Sequence, residues 1–392
     1  MNRQTNWLRT IAVAGTALIA ATALTACGSS DSAKTSSTSM PAANPDLKGT
    51  VTIGAVLPLT GVNSTIGKDQ QRGIDLAVAT INSKNGVLGG KKLQVKIEDS
   101  EGRAPSAIQA ARKLVSVDKV PIVIGEYSSG NTIPMAQFLQ KSGVVGLNPG
   151  SSSIEVRTLG DFEFSTIGLD DVAGAYASKA LSDRGYESIS ILAPNNAYGS
   201  GIVKSVEDSF TGMGGKVVAK ELYTEGQADY RQELNRLKQA APDAYVVTTY
   251  GKDGTTINKE AYELGLTDNP IFDFYMSMDI PDADPASVEG RTGMDVNAIA
   301  DSGKPYRAAY KKAFGEDFIS SFNGLTYDSV QMAALAIDKA GSADAAAIKA
   351  ALPEISKTFV GVTGPILFDK DGQRTAQPYV LAKVVNGKIV PQ

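Results

Sequence analysis

The chain has 392 residues, with 38 basic and 42 acidic side chains and a formal net charge of −4 at pH 7. It contains no histidine, which excludes imidazole acid–base chemistry, Ser-His-Asp triads and His-ligated metal sites, and its weakly acidic balance argues against nucleic acid as a partner. A chain of this length is long for one hydrophobic core and is better divided into two lobes.

The N-terminus has the pattern of an export signal. Arg3 and Arg9 precede an apolar run at 11–23, which is too short to span a bilayer comfortably, and the sequence Leu-Thr-Ala at 24–26 leads to Cys27. The tetrapeptide that ends at Cys27 resembles a bacterial lipobox, which implies cleavage before Cys27 and diacylation of its thiol. An ordinary secretory signal and an N-terminal membrane anchor are the alternatives. Loss of the two arginines on cleavage takes the net charge from −4 to −6.

The resulting organisation is a signal peptide at 1–26, followed by the lipidated Cys27 and a linker at 27–48. Cys27 is the single cysteine, so its lipidation leaves no thiol for catalysis, zinc or disulfides. The linker is mostly Ser, Thr, Ala, Asn and Pro, and it cannot bury enough surface to offset its ordering entropy, so we expect it to be flexible. Two acyl chains suffice for stable anchoring, because each buried CH₂ contributes about 0.8 kcal/mol.

Strands and helices alternate through the rest of the chain. Strand–helix alternation of this length predicts parallel sheets with helices on both faces, and two successive runs predict an α/β protein of two doubly wound lobes. The first run has predicted strands at 51–57, 93–97 and 121–125 and helices around 74–81 and 108–115; the second has strands at 188–192, 216–221 and 244–250 and helices at 198–213 and 230–239.

The loops that follow the predicted strands are rich in glycine and small hydroxyl residues, notably at 57–61, 125–132 and 148–153. In doubly wound sheets, ligands bind beyond the carboxyl ends of the strands. Hydroxyl residues at helix N-termini, next to free backbone N–H groups, suit a carboxylate or another anion. Plain N-capping is the other interpretation of each loop taken singly.

The order and spacing of short motifs from about Gly49 to the C-terminus resemble the type I periplasmic-binding-protein fold. More specifically, the chain is similar to the branched-chain amino-acid (Leu/Ile/Val) receptors of ABC transporters. The matching motifs are IGAVLPLTG at 53–61, GIDLA at 73–77, GVLGGK at 86–91, VIG at 123–125 with SS at 128–129, NPGSS at 148–152 and YGSG at 198–201.

The resemblance implies two lobes joined by three hinge crossings, which we expect near Gly168, Ala298 and Gln377. Lobe I then comprises 49–168 and 299–376, and lobe II comprises 169–298 and 377–392, with 378–385 completing the second lobe. Receptors of this kind close around a ligand by hinge motion, and the closed form is recognised by the membrane permease. Closure requires ligand contacts from both lobes, because only differential affinity shifts such an equilibrium.

The same resemblance implies a pocket in the first lobe. Ser129 would hold the ligand carboxylate with its hydroxyl and backbone amide, helped by the helix start at Thr132. Gly150, Ser151 and Ser152 match the loop that contacts the amino and carboxylate groups of the ligand.

Two further residues match ligand-binding positions of the family, and a third differs from the residue expected there. Ile66 falls where the family places a large apolar residue beside the ligand side chain, and Tyr198 matches the second-lobe tyrosine that closes over it. Packing alone would also account for both residues. The branched-chain receptors have an acidic residue on the second lobe to neutralise the ligand ammonium, whereas this chain has Tyr275 where we expect the acid.

Other charged residues near that strand end leave the ligand open. Asp273 has either a structural role near the hinge or replaces the missing acid from a neighbouring position. Asp253 offers another carboxylate, and Lys252 could bind an anion instead. A buried ammonium without a carboxylate partner would be costly. An α-amino acid, an aromatic acid, an amide and a dicarboxylate bound by Lys252 therefore all remain open.

No cofactor or metal site is predicted. The sequence at 369–372 begins like a calcium-binding loop but lacks the downstream bidentate glutamate. Its Asp-Gly ending instead predicts a β-turn within a hairpin.

Taken together, the sequence predicts a monomeric, lipid-anchored, non-enzymatic receptor on the extracytoplasmic face of the cell membrane. It would bind a small solute, amino acid-like or a carboxylate or amide, and deliver it to the permease and ATPase of an ABC importer. A ligand sensor that feeds a membrane signalling partner would use the same fold and pocket. A carboxylate-only surface enzyme, like a glycosidase, is the third class, but no paired carboxylates are indicated by the sequence.

Overall fold

The computed structural model describes residues 38–297 and 303–392. The predicted signal peptide, Cys27 and the first part of the linker lie outside the described residues. The last part of the predicted linker is held against the fold, because Ser39 N–H donates to the Lys312 carbonyl at 3.0 Å and Lys48 N–H donates to the Gly90 carbonyl at 2.8 Å. Within the described ranges, no helix combines the length and apolarity needed to cross a membrane.

The chain begins with one complete run of alternating elements. Its strands β3, β4 and β5 are buried along their whole length, as expected for parallel strands covered on both faces. The elements are β1 (Thr50–Leu57), α1 (Ser64–Asn82), β2 (Lys92–Asp99), α2 (Ala104–Ser116), β3 (Ile122–Gly125), α3 (Ser129–Ser142), β4 (Val145–Asn148) and β5 (Glu163–Gly168).

A second run follows and ends where the first gap in the described residues begins. Its elements are α4 (Asp170–Asp183), β6 (Ser188–Pro194), α5 (Ala197–Gly212), β7 (Lys216–Tyr223), α6 (Arg231–Gln239), β8 (Ala244–Val247), α7 (Gly251–Glu263), β9 (Ile271–Phe274), α8 (Pro285–Val288) and β10 (Thr292–Val296). Short 3₁₀ helices lie at Ile154–Thr158, Leu266–Asp268, Met276–Met278 and Ile280–Asp282.

The C-terminal part contributes to both sheets. It contains α9 (Lys304–Phe314), α10 (Ser321–Ala340), α11 (Ala345–Ser356), β11 (Val360–Gly361), β12 (Gly364–Pro365), β13 (Gln373–Arg374), β14 (Tyr379–Val385) and β15 (Lys388–Pro391). The predicted turn at 369–372 is confirmed, since Gly372 N–H donates to the Asp369 carbonyl at 3.1 Å and Phe368 pairs antiparallel with Arg374.

The first lobe is built on a six-stranded sheet with the order β13-β5-β4-β3-β1-β2, in which every neighbouring pair is parallel. Strand β1 explains the two layers of helices, because its side chains alternate between the faces of the sheet. Ile53 and Leu57 pack with α1, α10 and α11, whereas Val56 packs on the other face with α2 and α3. The sheet is thus covered on both sides, as the sequence predicts.

The second lobe is built on a seven-stranded sheet with the order β15-β14-β10-β9-β8-β6-β7. Strands β6 to β10 are parallel, but β14 runs antiparallel to β10 and β15 antiparallel to β14. The last two strands form a hairpin whose two turn residues, Asn386 and Gly387, have φ values of 52° and 69°. This Asn-Gly turn has the twist that a tight hairpin requires, so the all-parallel pattern ends at β10.

The chain passes between the two sheets three times, as predicted: between β5 and α4, between β10 and α9, and between β13 and β14. The first and third crossings are bonded to each other, since Gly168 N–H donates to Gln377 Oε1 at 2.7 Å. Arg374 is buried beside them and donates to the carbonyls of Thr166, Thr363 and Pro365. Ala298, near the predicted second crossing, lies outside the described residues.

Candidate ligand-binding site

A small cavity of about 10 Å³ lies between the two lobes, beyond the carboxyl ends of strands from both sheets. In each sheet this is the edge where ligands bind in doubly wound folds. Larger depressions of about 420, 490 and 580 Å³ occur on the surface, but none of them lies between the lobes; the third is lined by the first lobe and the end of the linker. The interlobe cavity is lined by Tyr127, Ser129, Gly150, Ser152 and Phe322 of the first lobe and by Tyr198, Tyr250, Tyr275 and Met278 of the second.

Two first-lobe loops provide the polar wall of the cavity. Ser129 is the first residue of α3, where backbone N–H groups have no acceptor within the helix, and its Oγ accepts a hydrogen bond from Ser153 N–H at 3.3 Å. Gly150 approaches Tyr127 so closely that a Cβ would lie 2.8 Å from the Tyr127 Cα atom. The position therefore requires glycine, and the close approach brings the loops after β3 and β4 together.

Aromatic rings from both lobes provide the opposite wall. Tyr127 of the first lobe contacts Tyr250 of the second with ring centroids 5.6 Å apart, and Tyr198 lies 5.9 Å from Tyr250. Phe322, at the start of α10, lies 5.0 Å from Tyr127 and 6.1 Å from Tyr275. Since rings from opposite lobes are in contact, the two lobes are closed over the cavity.

Hydroxyl groups on these rings give the aromatic wall a polar character. Tyr198 Oη pairs with Thr248 Oγ1 at 2.8 Å, whereas the Tyr127 hydroxyl is buried and has no hydrogen-bond partner among the described residues. Tyr275 has φ 58° and ψ 68°, a left-handed conformation that is rare for a bulky side chain and typical of functional sites. Burial raises the pKa of all three tyrosines well above its ordinary value, so their hydroxyls stay neutral and can donate or accept.

Direct hydrogen bonds also connect the lobes beside the cavity. Thr65 Oγ1 donates to Asp282 Oδ1 at 3.1 Å, and Ser321 Oγ donates to Asp295 Oδ1 at 2.6 Å. Asp295 Oδ2 accepts from Ser277 N–H at 2.7 Å, so one buried carboxylate joins the start of α10 to the loop that carries Tyr275 and Met278. These contacts hold the second-lobe loop in place.

The structure brings five of the residues singled out from the sequence to the cavity wall: Ser129, Gly150, Ser152, Tyr198 and Tyr275. The other first-lobe candidates lie just behind it. Ile66 is buried in the same apolar cluster as Tyr127, Tyr198 and Tyr250. Ser151 Oγ donates to Thr132 Oγ1, and Thr132 Oγ1 donates to the Glu126 carbonyl at 3.1 Å, so both residues position the two loops instead of facing the cavity.

The structure places the three charged second-lobe candidates away from the cavity. Lys252 is exposed in the first turn of α7, and Asp253 points to the far side of that helix, where it accepts from Gly226 N–H at 3.1 Å and Tyr230 Oη at 2.8 Å. Asp273 lies on the opposite face of β9 from its neighbours and meets Arg291 at 3.3 Å. At the start of α7 it is Tyr250, two residues before Lys252, that reaches the cavity.

Several residues at the site were not predicted from the sequence. Tyr127 and Tyr250 lie within loops that the sequence marks, but their roles depend on ring contacts between the lobes. Phe322 is distant in sequence from every other lining residue and gives no local signal. Glu126, directly before Tyr127, is fully buried, accepts from Ser100 Oγ at 2.6 Å and has its pKa raised to about 7 by burial.

Asp170 is the most unusual residue beside the cavity. It is the first residue of α4, and its side chain is completely buried. Neither carboxylate oxygen has a hydrogen-bond partner at standard distance and angle among the described residues. Burial raises its pKa to about 8, and the neighbouring Ser152 side chain lowers it slightly. Asp170 is held at Ser152 by its backbone, whose N–H donates to the Ser152 carbonyl at 2.7 Å.

Comparison with known proteins identifies relatives along almost the whole described chain. A family model described as "Periplasmic binding protein" matches residues 50–388. The Leu/Ile/Val-binding protein BraC3 of Rhizobium johnstonii is 28% identical over 348 residues, which cover 87% of this chain and 93% of the relative.

Solved structures of substrate-binding proteins are also similar to this chain. The branched-chain amino acid transporter substrate binding protein LivJ of Streptococcus pneumoniae, in complex with isoleucine, superposes with a TM-score of 0.78 at 27% identity and covers 87% of this chain and 97% of its own. An ABC-transporter solute binding protein of R. palustris in complex with benzoate has a TM-score of 0.78 at 19% identity, covering 88% and 95% of the two chains, and shows the shared fold.

Proposed function

This chain belongs to the periplasmic binding protein family, and we propose that it is the solute receptor of an ABC importer that binds an amino acid or a related small carboxylate between its lobes. One observation carries this proposal: the interlobe cavity is lined from both lobes by hydroxyl groups and aromatic rings. A ligand that contacts both lobes stabilises the closed arrangement, and this difference in affinity is what a permease can recognise.

The lining residues divide into two roles. Ser129 and Ser152, with the backbone at Gly150 and the start of α3, hold the carboxylate of the ligand, because hydroxyls and free N–H groups at a helix N-terminus favour an anion. Tyr198 and Tyr275 enclose the remainder of the ligand from the second lobe. Their buried rings supply apolar contact area, while their neutral hydroxyls keep the cavity able to accept a polar group.

The remaining candidates support this wall. Thr132 and Ser151 fix the two first-lobe loops, and Ile66 packs behind the rings. Lobe I comprises 49–168 and 299–376 and lobe II comprises 169–298 and 377–392, a division supported by which sheet each strand joins. The lobes close by rotation about the three crossings. The hydrogen bond between Gly168 and Gln377 connects the first and third crossings, so these two segments move together.

The receptor works as a monomer anchored at the extracytoplasmic face of the membrane through diacylated Cys27, after removal of 1–26. The cleavage and the anchoring are supported by the sequence pattern before Cys27. No catalytic role is proposed.

The test is a thermal-shift screen of the purified protein with branched-chain amino acids, threonine, alanine, benzoates, short amides and dicarboxylates. A ligand present at about 100 times its dissociation constant should stabilise the fold by roughly 2.7 kcal/mol. Ser129→Ala should weaken the shift of any carboxylate ligand, whereas Val117→Ala, at an exposed site on the first lobe, should leave it unchanged. Silence across the panel, or a shift that is insensitive to Ser129→Ala, would contradict the proposal.

A further inference from the structure

Two tyrosines of the cavity wall have hydroxyl partners among residues outside the wall. Tyr198 Oη pairs with Thr248 Oγ1 at 2.8 Å, and Tyr275 Oη pairs with Tyr379 Oη at 3.4 Å. Tyr127 of the first lobe differs, because its side chain is buried and its hydroxyl has no hydrogen-bond partner among the described residues. A buried polar group without a partner is unfavourable, and such groups are rare in folded proteins. The hydroxyl of Tyr127 is thus available to a molecule held in the cavity.

The surroundings of Tyr127 place its hydroxyl towards the second lobe. Its ring lies 5.0 Å from Phe322 and 5.6 Å from Tyr250, measured between ring centroids. Burial raises the pKa of Tyr127 well above its ordinary value, and electrostatic repulsion from Tyr250 and Tyr198 adds to this rise. The hydroxyl therefore lies near two second-lobe residues of the wall and stays neutral, so it can both donate and accept a hydrogen bond.

Tyr127 connects the polar wall of the cavity to the aromatic wall. Its Cα atom lies against Gly150, in the loops that carry Ser129 and Ser152, whereas its ring packs among the aromatic rings opposite. Ser129 and Ser152 are the residues proposed above to hold the ligand carboxylate. The Tyr127 hydroxyl is consequently placed to reach a part of the ligand other than that carboxylate.

The character of the cavity wall limits what that part of the ligand can be. The wall contains no lysine, arginine, aspartate or glutamate among the described residues. A charged group of the ligand facing the aromatic rings would be buried without a counter-ion in the wall, which is unfavourable. An apolar group would leave the Tyr127 hydroxyl buried and unpaired. A neutral hydroxyl or amide group avoids both costs.

We propose that Tyr127 determines specificity, because its hydroxyl forms a hydrogen bond with a neutral hydroxyl or amide group that the ligand carries away from its carboxylate. The cavity then favours such a ligand over one of similar shape that lacks the polar group. This inference rests on the proposed function and narrows its ligand class. A packing role of Tyr127 would depend on the ring alone and would not distinguish the two kinds of ligand.

The experiment is isothermal titration of the wild-type protein and Tyr127→Phe with three matched pairs. The pairs are L-threonine with L-valine, L-asparagine with L-leucine, and 4-hydroxybenzoate with benzoate. The wild type should bind the polar member of at least one pair about 10-fold or more tighter than its apolar partner. Tyr127→Phe should reduce that preference to less than about threefold, by weakening the polar member while the apolar member binds as to the wild type.

Tyr245→Phe is the matched control. Tyr245 is a buried tyrosine of β8 that packs in an apolar cluster of the second lobe outside the cavity, so all affinities should stay as in the wild type. Ligand-free Tyr127→Phe should unfold at the wild-type temperature or above it, because the change keeps the ring and removes a hydroxyl without a partner. A lower unfolding temperature would show that the hydroxyl is bonded within the free protein, and it would overturn the inference.

The binding outcomes separate the inference from the proposed function. A preference that persists in Tyr127→Phe overturns the inference, and so does an equal loss for both members of a pair, which would assign the hydroxyl to a group that both share. If the wild type binds only ligands without a neutral polar group, such as valine or alanine, the inference fails and the receptor function stands.

The wider panel covers ligands outside the three pairs. If the wild type binds only a short amide, Tyr127→Phe must weaken that binding about 10-fold or more, and a smaller change overturns the inference. If nothing in the panel binds, the receptor function fails and the inference with it.

Discussion

Asp170→Asn should stabilise the protein in the absence of any ligand, by an amount that grows with pH. The substitution keeps the shape of the side chain and removes a fully buried carboxyl group whose ionisation is disfavoured by burial. In an unfolded chain an aspartate ionises near pH 4, whereas burial raises the pKa of Asp170 to about 8 in the folded protein. The contribution of Asp170 to stability is therefore fully present below pH 4 and is lost as the pH rises towards 8.

The magnitude follows from the width of that window. Each unit between the two pKa values is worth about 1.4 kcal/mol, so the difference in free energy of unfolding between variant and wild type should grow by about 3 to 4 kcal/mol from pH 5 to pH 8. Any change in packing from the amide adds a constant that does not depend on pH. Glu126 and Glu163, whose pKa values burial raises to about 7 and about 8, titrate in both proteins and cancel in the difference.

The assay is urea denaturation of both proteins at pH 5, 6, 7 and 8, with Asp171→Asn as the exposed control. For Asp171→Asn the difference from wild type should be small, because that carboxylate is exposed to water beside Arg157. A difference for Asp170→Asn that stays constant within about 1 kcal/mol over the range would refute the reasoning, since it would mean that Asp170 is solvated or paired in the folded protein.

Two further outcomes follow from the same contacts. Gln377→Met keeps the length of the side chain but removes the acceptor of the Gly168 N–H group, so it should lower the free energy of unfolding by about 1–3 kcal/mol in urea denaturation. A loss well below 0.5 kcal/mol would show that the bond between the crossings contributes little. Lys252→Ala should leave the affinity for the best ligand of the screen unchanged in titration calorimetry, because Lys252 is exposed outside the cavity. A clear loss of affinity would restore Lys252 to the site.

The local pattern of the sequence was sufficient for the architecture. The apolar run predicted as a strand at 51–57 is β1 (Thr50–Leu57), and the helix predicted at 198–213 is α5 (Ala197–Gly212). Both are properties of short segments, because side-chain periodicity and turn residues act over neighbouring positions. The resemblance of ordered motifs also indicated the family, which the match over residues 50–388 confirms.

The same local reasoning located the two loops that form the polar wall of the cavity, and the resemblance to the family picked out Ser129, Gly150 and Ser152 within them. Ser129, Gly150 and Ser152 follow directly after strands, and the carboxyl ends of neighbouring parallel strands necessarily meet at one edge of a sheet. Their convergence therefore depends on strand order alone, which the alternating pattern predicts well.

What the sequence determined by itself is thus the two sheets, their helices and the strand ends at which a ligand would bind. Only the tertiary structure decided which side chains face that ligand. Lys252 and Asp253 are two and three residues from Tyr250 in sequence, yet the first turn of α7 directs them to solvent and to Tyr230 while Tyr250 faces the cavity. Phe322 reaches the cavity from α10, and Asp170 is buried behind Ser152 at the start of α4, because the packing of one lobe against the other is set by contacts between residues far apart in the chain.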